Sequence, residues 1–351
     1  AVQRESKAAR DSAGILDAST LGKIDIQGTD ASEFLNRVYT NAWSKLAEGK
    51  CRYGLMLNED GMVYDDGVTT RLDENHYIMT TTTGGAANVL SKLEDYLQTE
   101  WPELDVYLTS VTDHFATISV CGPNSKKIIS TVIDDLDFSD ANFPHMTFKN
   151  AKIGKINCRV MRISFTGELS YEINVQANYA KSVWEKCMEA GKDFNITPYG
   201  TETMHLLRAE KGFIIVGQDT DGTMTPVDLQ MDWIVSKKKY DFIGKRSLYR
   251  SDTIREDRKQ LVGLLTDNPE DVLEEGSQIV ADVKKSPVEM LGHVTSSYFS
   301  PNLKKSIALA VVRGGKNMMG KKLMIPMENK KINVIVADPV FLDKENKRLN
   351  A

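Results

Sequence analysis

The first hundred residues alternate between helical and strand-like patterns of apolar positions. Residues 29–39 carry apolar side chains at helical spacing and begin with Thr29 or Asp30, either of which is expected to cap the helix. Three runs then predict strands joined by tight turns, namely 52–57, 62–71 and 77–83, the last of which is rich in β-branched residues. Residues 85–99 return to helical spacing. This part of the chain therefore predicts a meander of antiparallel strands with a helix on either side.

A second unit mixes the same elements. Residues 114–122 predict a strand that the pair Gly122-Pro123 ends. Residues 157–175 form two alternating runs around the turn Thr-Gly-Glu, which indicates a hairpin. Helical spacing returns in three places, at 124–133, at 178–190 and near 200–211. The apolar run after Gly212 is strand-like and leads into a loop rich in turn residues, GQDTDG.

The last hundred residues have a different character. Residues 250–260 are densely charged, which is typical of a domain boundary. Four strand-like runs follow, QLVGLL, SIALAVV, KKLMIP and INVIVA. The pattern predicts an α+β fold with an α+β region over 1–250 and a small, mostly β domain over 251–351.

The composition narrows the class of protein. Of the 351 residues, 41% are hydrophobic and 26% charged, and the net charge of −5 argues against a nucleic-acid-binding protein, which usually carries a basic surface. No apolar run approaches the roughly 20 residues of a membrane span, and the first residues lack the apolar stretch of a secretory signal. The four cysteines and five histidines are scattered, so we expect no metal site and a reduced, cytoplasmic protein.

Asp65 and Asp66 are consecutive carboxylates in an otherwise apolar and β-branched strand. Neighbouring strand residues point to opposite faces, so one pocket is expected to receive only one of the two. An edge strand would leave both in solvent, as is usual for charged residues. A carboxylate that faces an apolar pocket could instead transfer a proton or meet a cationic nitrogen. The spacing by itself leaves both interpretations open.

Other charged positions have a solvated and a functional interpretation. Glu168 lies at the tip of the Thr-Gly-Glu turn and is expected to be solvated. Glu172, in the returning strand, could accept two N–H donors from a guanidine-like or aminopyrimidine edge, and a solvated strand face is the alternative. Arg208 and Glu210 are expected to form a surface pair of small energetic value.

Five segments occur in the order seen in the aminomethyltransferase (glycine-cleavage T-protein) superfamily, which the chain resembles over nearly its whole length. They are MLNEDGMVYDD, ISFTGELSYEI, LRAEKGFIIVGQD, DFIGKRSL and TSSYFSPNLKKSIALAVV. Within that superfamily, runs such as SFTGELSYEINV and MDWIVSKKKYDFIGKRSL are most similar to the C-terminal half of the alpha subunit of heterotetrameric sarcosine oxidase.

The resemblance implies a three-domain cloverleaf around a folate channel, with two intertwined α+β subdomains and a C-terminal β-barrel domain. It implies an enzyme that uses tetrahydrofolate to accept the methylene group of an N-methylene-glycine iminium, formed by sarcosine oxidation, and that yields 5,10-methylenetetrahydrofolate and glycine. Flavin and NAD are expected only on other parts of such a complex, because the chain has no GxGxxG fingerprint. The expected partners are therefore folate, a small methylated amine or its iminium, and flavoprotein subunits.

The family motifs also imply roles for individual residues. The functional carboxylate, which acts near the folate nitrogens, falls on Asp65, the first of the pair. The glutamate that holds the pterin falls on Glu172. The remaining positions that would contact folate are Tyr53, Thr81, Thr82 and Phe165.

The chain departs from the T-protein pattern in several places. It has no arginine shortly before Arg208, has Phe165 in place of a tyrosine, and has Gly61-Met62 in place of a double glycine. These departures favour the sarcosine-oxidase branch over a lipoamide-linked role in glycine cleavage. Two alternatives remain, a stand-alone tetrahydrofolate-dependent demethylase or aminomethyltransferase that acts on another methylated substrate, and a non-catalytic folate-binding scaffold.

Overall fold

In a computed structural model that describes residues 1–284 and 286–351, two open β-sheets and a closed barrel are combined with α-helices. The helices are α1 (Val2–Asp11), α2 (Ala31–Val38), α3 (Ala86–Thr99), α4 (Ser125–Val132), α5 (Ala180–Ala190) and α6 (Thr201–Glu210). None of the described helices is long and apolar enough to cross a membrane.

The first sheet has six strands, which come from two separate parts of the chain. Its members are β1 (Gly14–Asp17), β7 (Phe115–Cys121), β8 (Thr147–Ile153), β9 (Ile156–Arg162), β10 (Ser170–Gln176) and β11 (Thr197–Pro198). They lie in the order β11-β1-β7-β10-β9-β8, and only the short pair β1–β11 is parallel. β10 therefore lies in the middle of the sheet.

The second sheet is inserted into the first between β1 and β7. Its strands are β2 (Gly22–Gln27), β3 (Cys51–Leu57), β4 (Val63–Asp73), β5 (His76–Thr81) and β6 (Tyr107–Ser110), in the spatial order β3-β4-β5-β2-β6. The chain thus leaves the first sheet, builds the whole second sheet, and returns. The two sheets are held together by an apolar cluster that Cys51 and Ile78 form with Phe148, Met161 and Ile163.

The third sheet is a closed barrel of six antiparallel strands. Its members are β12 (Lys259–Thr266), β13 (Gln278–Val280), β14 (Met290–Ser300), β15 (Lys305–Arg313), β16 (Lys322–Pro326) and β17 (Lys331–Ala337), and they close in the order β12-β15-β14-β13-β16-β17. A separate apolar cluster joins the barrel to the second sheet. In this cluster Leu261 and Leu309 of the barrel pack with Leu55 and Leu57 of the second sheet. This cluster fixes the barrel beside the two open sheets.

Most predicted elements are confirmed, including the α+β class, the meander, the hairpin around Thr-Gly-Glu and the mostly β last part. Asp30 is the N-cap residue of α2, as predicted, but its side chain accepts from the backbone N of Asp105 and gives the helix no capping hydrogen bond. One local prediction is wrong. The apolar run 213–216 is a loop and not a strand, and it lines the cavity described next.

Candidate functional site

The two open sheets, α6 and the edge of the barrel enclose a cavity of about 1530 Å³. Its wall is formed mostly by the second sheet and by the loops between α6 and the barrel. The structure brings together every position at which sequence reasoning placed a function. Tyr53, Asp65, Thr81, Thr82, Phe165 and Glu172 all lie on this wall.

Asp65 lies in β4 and is only 3% exposed. Thr82 donates to its carboxylate twice, from Oγ1 at 2.6 Å and from the backbone N at 3.3 Å. Burial raises the pKa of Asp65 to about 6, although these hydrogen bonds lower it. A β-carbon at Gly85 would lie 2.7 Å from the carboxylate oxygen, so glycine is what allows the loop after β5 to close over Asp65.

Asp66 faces the same cavity, which contradicts the expectation that only one of the two carboxylates could do so. The hydroxyl of Tyr53 donates to Asp66 at 2.6 Å. Burial raises the pKa of Asp66 to about 7, the Tyr53 hydroxyl lowers it, and the charge of Asp65 raises it further. The site therefore holds two adjacent carboxylates whose pKa values are both raised by burial.

The ladder of the second sheet explains why both carboxylates reach the cavity. β4 pairs with β3 along most of its length, but its pairing with β5 begins only at Thr69, which lies opposite Met79. Before that point the Thr80 side chain bonds the backbone of Val68 in place of a ladder partner. The segment that carries Asp65 and Asp66 is therefore open on its β5 side. β4 is also an internal strand, so the solvated-edge interpretation is wrong.

Glu172 lies on β10, opposite Ser119 of β7 and Met161 of β9. Its carboxylate has no hydrogen-bond or ion-pair partner among the residues that the structure describes. Burial raises the pKa of Glu172 to about 7, and the charge of Lys23 lowers it. The ammonium of Lys23 is itself held by two backbone carbonyls, those of Ser19 and Leu21. Glu172 thus offers two free acceptor oxygens to whatever occupies the cavity.

Apolar and hydroxyl side chains complete the wall. Phe165 stacks on Phe213 with ring centroids 6.2 Å apart. The hydroxyl of Thr81 donates to the Thr82 carbonyl at 2.9 Å. An aromatic and apolar wall with a few convergent carboxylates is typical of a site for a flat, polar-edged ligand.

The expectation of a solvated Glu168 is wrong, because this residue is 2% exposed. Its carboxylate accepts from Arg10 at 2.8 Å and from Arg348 at 2.7 Å. Arg10 also binds Glu210, which is fully buried and accepts from Ser300 at 2.5 Å. Burial by itself lowers the pKa of Arg10, but the two glutamates outweigh it and raise that pKa. This cluster ties α1, the turn before β10, α6 and the barrel together.

Arg208 and Glu210 are not a surface pair, since both are fully buried and each has a different partner. Arg208 forms an ion pair with Asp219 and donates to Ser296 of β14 at 2.6 Å. Asp219 in turn accepts from Thr295 at 2.5 Å. Arg208 therefore fixes α6 to the barrel and is occupied within the fold.

Sequence reasoning missed Asp66 as a cavity residue, and the signal for it was the doubled aspartate itself. Asp65, Asp66 and Glu172 have no cationic partner within 4.0 Å among the described residues. An unpaired buried carboxylate favours a ligand that brings N–H donors or positive charge. In the described part of the chain no group of three or more His, Cys, Asp or Glu side chains is arranged to hold a metal.

Two family models match the chain. Residues 1–239 match the GCVT N-terminal domain, and residues 259–343 match the glycine cleavage T-protein C-terminal barrel domain. The solved aminomethyltransferase T of the glycine cleavage system from Bartonella henselae has the same fold. Its TM-score is 0.85 at 23% identity, over 97% of this chain and 90% of that one.

Curated relatives of the chain include sarcosine oxidase alpha subunits and an aminomethyltransferase. The sarcosine oxidase alpha subunits of Corynebacterium sp. (strain P-1) and Rhizobium meliloti are 53% and 45% identical over 99% of this chain. The chain spans 36% of the length of each. The aminomethyltransferase of Caldanaerobacter subterraneus is 32% identical over 98% of this chain and 88% of that protein.

Proposed function

The chain belongs to the glycine-cleavage T-protein family of aminomethyltransferases, and we propose that it transfers a methylene group from an N-methylene-glycine iminium to tetrahydrofolate. The products would be 5,10-methylenetetrahydrofolate and glycine. The observation that carries the proposal is Asp65, a carboxylate of raised pKa held by Thr82 on the wall of a large cavity. The similarity to sarcosine oxidase alpha subunits supports an iminium derived from sarcosine as the donor.

The residues on the cavity wall fit tetrahydrofolate as a substrate. Glu172 has two free carboxylate oxygens, which match the adjacent N–H donors of an aminopyrimidine edge. Phe165 and Phe213 provide an aromatic wall for a flat ring. At about 1530 Å³ the cavity exceeds the ~300–1,000 Å³ of a typical small-molecule pocket, so it has room for a cofactor-sized molecule together with a small donor. Glu172 would hold the pterin, and Tyr53, Thr81 and Thr82 would flank it.

Tetrahydrofolate supplies the nitrogen that takes the methylene carbon. Asp65 would accept the proton of that nitrogen as the carbon–nitrogen bond forms. The same carboxyl would then return the proton to the glycine nitrogen as the bond between that nitrogen and the methylene carbon breaks. The second folate nitrogen would then bond to the methylene carbon and close the ring. Its proton would pass through the free Asp65 carboxylate to the glycine amine, which leaves as an ammonium. A pKa of about 6 suits both directions near neutral pH, and such acid–base help is typically worth ~10²–10⁴ in rate.

The burial of Asp65 would add a second contribution. Beside this residue, which is 3% exposed, the iminium would be shielded from bulk water, which would hydrolyse it to formaldehyde and glycine. Holding donor and acceptor together also removes much of the entropic cost of a reaction between two molecules. The chain has no GxGxxG motif, so the flavin-dependent step that would produce the iminium from sarcosine is placed on a flavoprotein partner.

The test is Asp65→Asn, with Asp60→Asn as the matched control, since Asp60 is an exposed carboxylate in the turn before the same strand. The rate of 5,10-methylenetetrahydrofolate formation from formaldehyde–glycine mixtures, above the uncatalysed rate, should fall ~10²–10⁴-fold in Asp65→Asn. Tetrahydrofolate affinity should change by less than about threefold. Normal transfer by Asp65→Asn would contradict the proposal.

The same assays separate the alternatives. A scaffold would bind tetrahydrofolate and show no turnover with any donor. A stand-alone demethylase would turn over another methylated amine or a sulfonium compound without a flavoprotein and would ignore the glycine iminium.

A further inference from the structure

Few cationic side chains line the cavity, and most of them are already satisfied. Lys211 is bonded to Asp343, with 3.6 Å between ammonium and carboxylate. Burial lowers the pKa of His145 and of His205, and nearby arginines lower each further, so both rings are neutral at pH 7. Arg52 is different. Among the residues that the structure describes, no carboxylate lies within salt-bridge distance of its guanidinium, although it lines the cavity.

The surroundings of Arg52 leave donors free. One terminal nitrogen donates to the carbonyl of Ala42, and the guanidinium lies 5.8 Å from the ring centre of Trp43. The remaining N–H groups have no partner in the described chain. An arginine held at one edge and free at the other is arranged to bind an anion with two acceptor oxygens.

The neighbours of Arg52 form one rim of the cavity. The side-chain nitrogen of Asn41 donates to the Tyr53 carbonyl at 2.8 Å, and its buried Oδ1 has no partner in the described residues. The loop that follows Trp233 is fixed to the same place, because Ser236 N donates to the Thr40 carbonyl at 3.0 Å. Trp233 lines the cavity and is 70% exposed. Arg52, Asn41 and Trp233 thus place a free cation, a free acceptor and an exposed indole on the wall of the same cavity, on segments whose neighbouring residues are hydrogen-bonded to one another.

We propose that Arg52 binds the glutamyl carboxylate of the folate tail at this rim, with Asn41 Oδ1 accepting the tail's amide N–H and Trp233 flanking the chain. The inference rests on the proposed function. It also explains how the tail can be held although the chain has no arginine shortly before Arg208 and Arg208 itself is occupied by Asp219.

The position of Arg52 along the sheet favours the folate tail over the other carboxylate in the reaction, that of the glycine iminium. Met56 of β3 lies opposite Asp65, and Arg52 is four residues away on the same strand, or ~14 Å. That separation is longer than an arginine side chain reaches. The carboxylate of the iminium lies close to the methylene carbon that Asp65 would serve, whereas the glutamyl tail extends well away from the reacting nitrogens.

The experiment is a binding cycle by calorimetry on the folded chain, with two ligands that differ only in the glutamate. Tetrahydrofolate carries it and tetrahydropteroate lacks it. Arg52→Gln should weaken tetrahydrofolate about 10- to 100-fold and leave tetrahydropteroate unchanged, as expected for loss of a charge-assisted hydrogen bond. Arg52→Lys should recover part of the lost affinity, because lysine keeps the positive charge but lacks the paired N–H donors of a guanidinium. Arg250→Gln, at an exposed arginine outside the cavity wall, should change neither affinity.

Each other outcome overturns the inference. An equal loss for both ligands means that Arg52 acts on the pterin or on the fold, which a melting curve of the variant distinguishes. Unchanged tetrahydrofolate affinity with a raised KM for the formaldehyde–glycine donor assigns Arg52 to the glycine carboxylate. Wild-type chain that binds neither ligand would instead contradict the proposed function, so the two failures are distinguishable.

Discussion

Two groups of buried carboxylates in this molecule have opposite surroundings. Glu168, Glu210 and Asp219 are each matched by a buried or half-buried arginine at hydrogen-bond distance. Asp65 and Glu172 lie on the cavity wall without a cationic partner among the described residues, and burial raises the pKa of each. The first group joins the helices to the barrel. The second group is left unpaired where a ligand can enter.

The difference shows how a fold separates structural charge from functional charge. A buried carboxylate that is paired contributes to the unique arrangement of its elements, and removing its partner leaves an uncompensated charge. A buried carboxylate that is unpaired costs stability in the empty protein and is compensated only when a ligand brings donors. Both groups occur in the same short motif, since Glu168 and Glu172 are four residues apart.

The largest effect on the paired group is expected from Arg208→Leu. This change leaves Asp219 as a buried, uncompensated charge and should lower the free energy of unfolding by about 3–5 kcal/mol in denaturant titrations. Arg255→Leu is the matched control, because Arg255 forms an exposed pair with Asp257 at 2.8 Å and should leave stability nearly unchanged. Equal effects of the two changes would show that the buried ion pair of Arg208 contributes no more to stability than an exposed pair, which would contradict a structural role for the paired carboxylates.

The unpaired group should respond in the opposite direction. The folded-state pKa of Glu172 is about 7, above its ordinary value, so the protonated form is favoured by folding and stability falls as pH rises from about 4.5 to 7. Glu172→Gln should therefore stabilise the ligand-free chain at pH 8 by roughly 1–3 kcal/mol, and should have little effect at pH 4. The same variant should lose tetrahydrofolate affinity by about tenfold or more.

Thermal melts at the two pH values and calorimetry test this trade-off together. Glu185→Gln, at an exposed glutamate on α5, is the control that should change neither quantity. A destabilised Glu172→Gln at pH 8, or unchanged affinity, would show that Glu172 is not the unpaired ligand-binding carboxylate.

The smallest expected effect is a pH dependence of binding. Two N–H donors favour the ionised carboxylate, so tetrahydrofolate affinity should rise between pH 6 and 8 as Glu172 loses its proton, by up to about tenfold per pH unit below 7. Asp66 titrates in the same range. The dependence should therefore vanish in Glu172→Gln and persist in Asp66→Asn, and the reverse pattern would move the pterin contact to Asp66.

Local periodicity was enough to predict most elements. The strands around the NEDG turn and the hairpin around Thr-Gly-Glu depend on alternation and turn residues that are close together in the chain, so they could be predicted without tertiary contacts. The order of motifs was enough to select six positions that lie on one cavity wall. Their roles, and the division of the chain at residue 250, stay predictions.

The sequence by itself thus determined the α+β class, most of the helices and strands, and the family to which the motifs belong. It did not predict the elements α1, β1, β2, β6, β8, β11, β13 and β14. Only the tertiary structure decided which charges are buried and which of those are paired. Arg10 meets Glu168 across 158 positions and Glu210 across 200, and no local pattern reports contacts of that separation. For the same reason the sequence did not show that the guanidinium of Arg52 is unpaired or that Asp65 and Asp66 line the same cavity. Both features depend on where a neighbouring strand or loop ends.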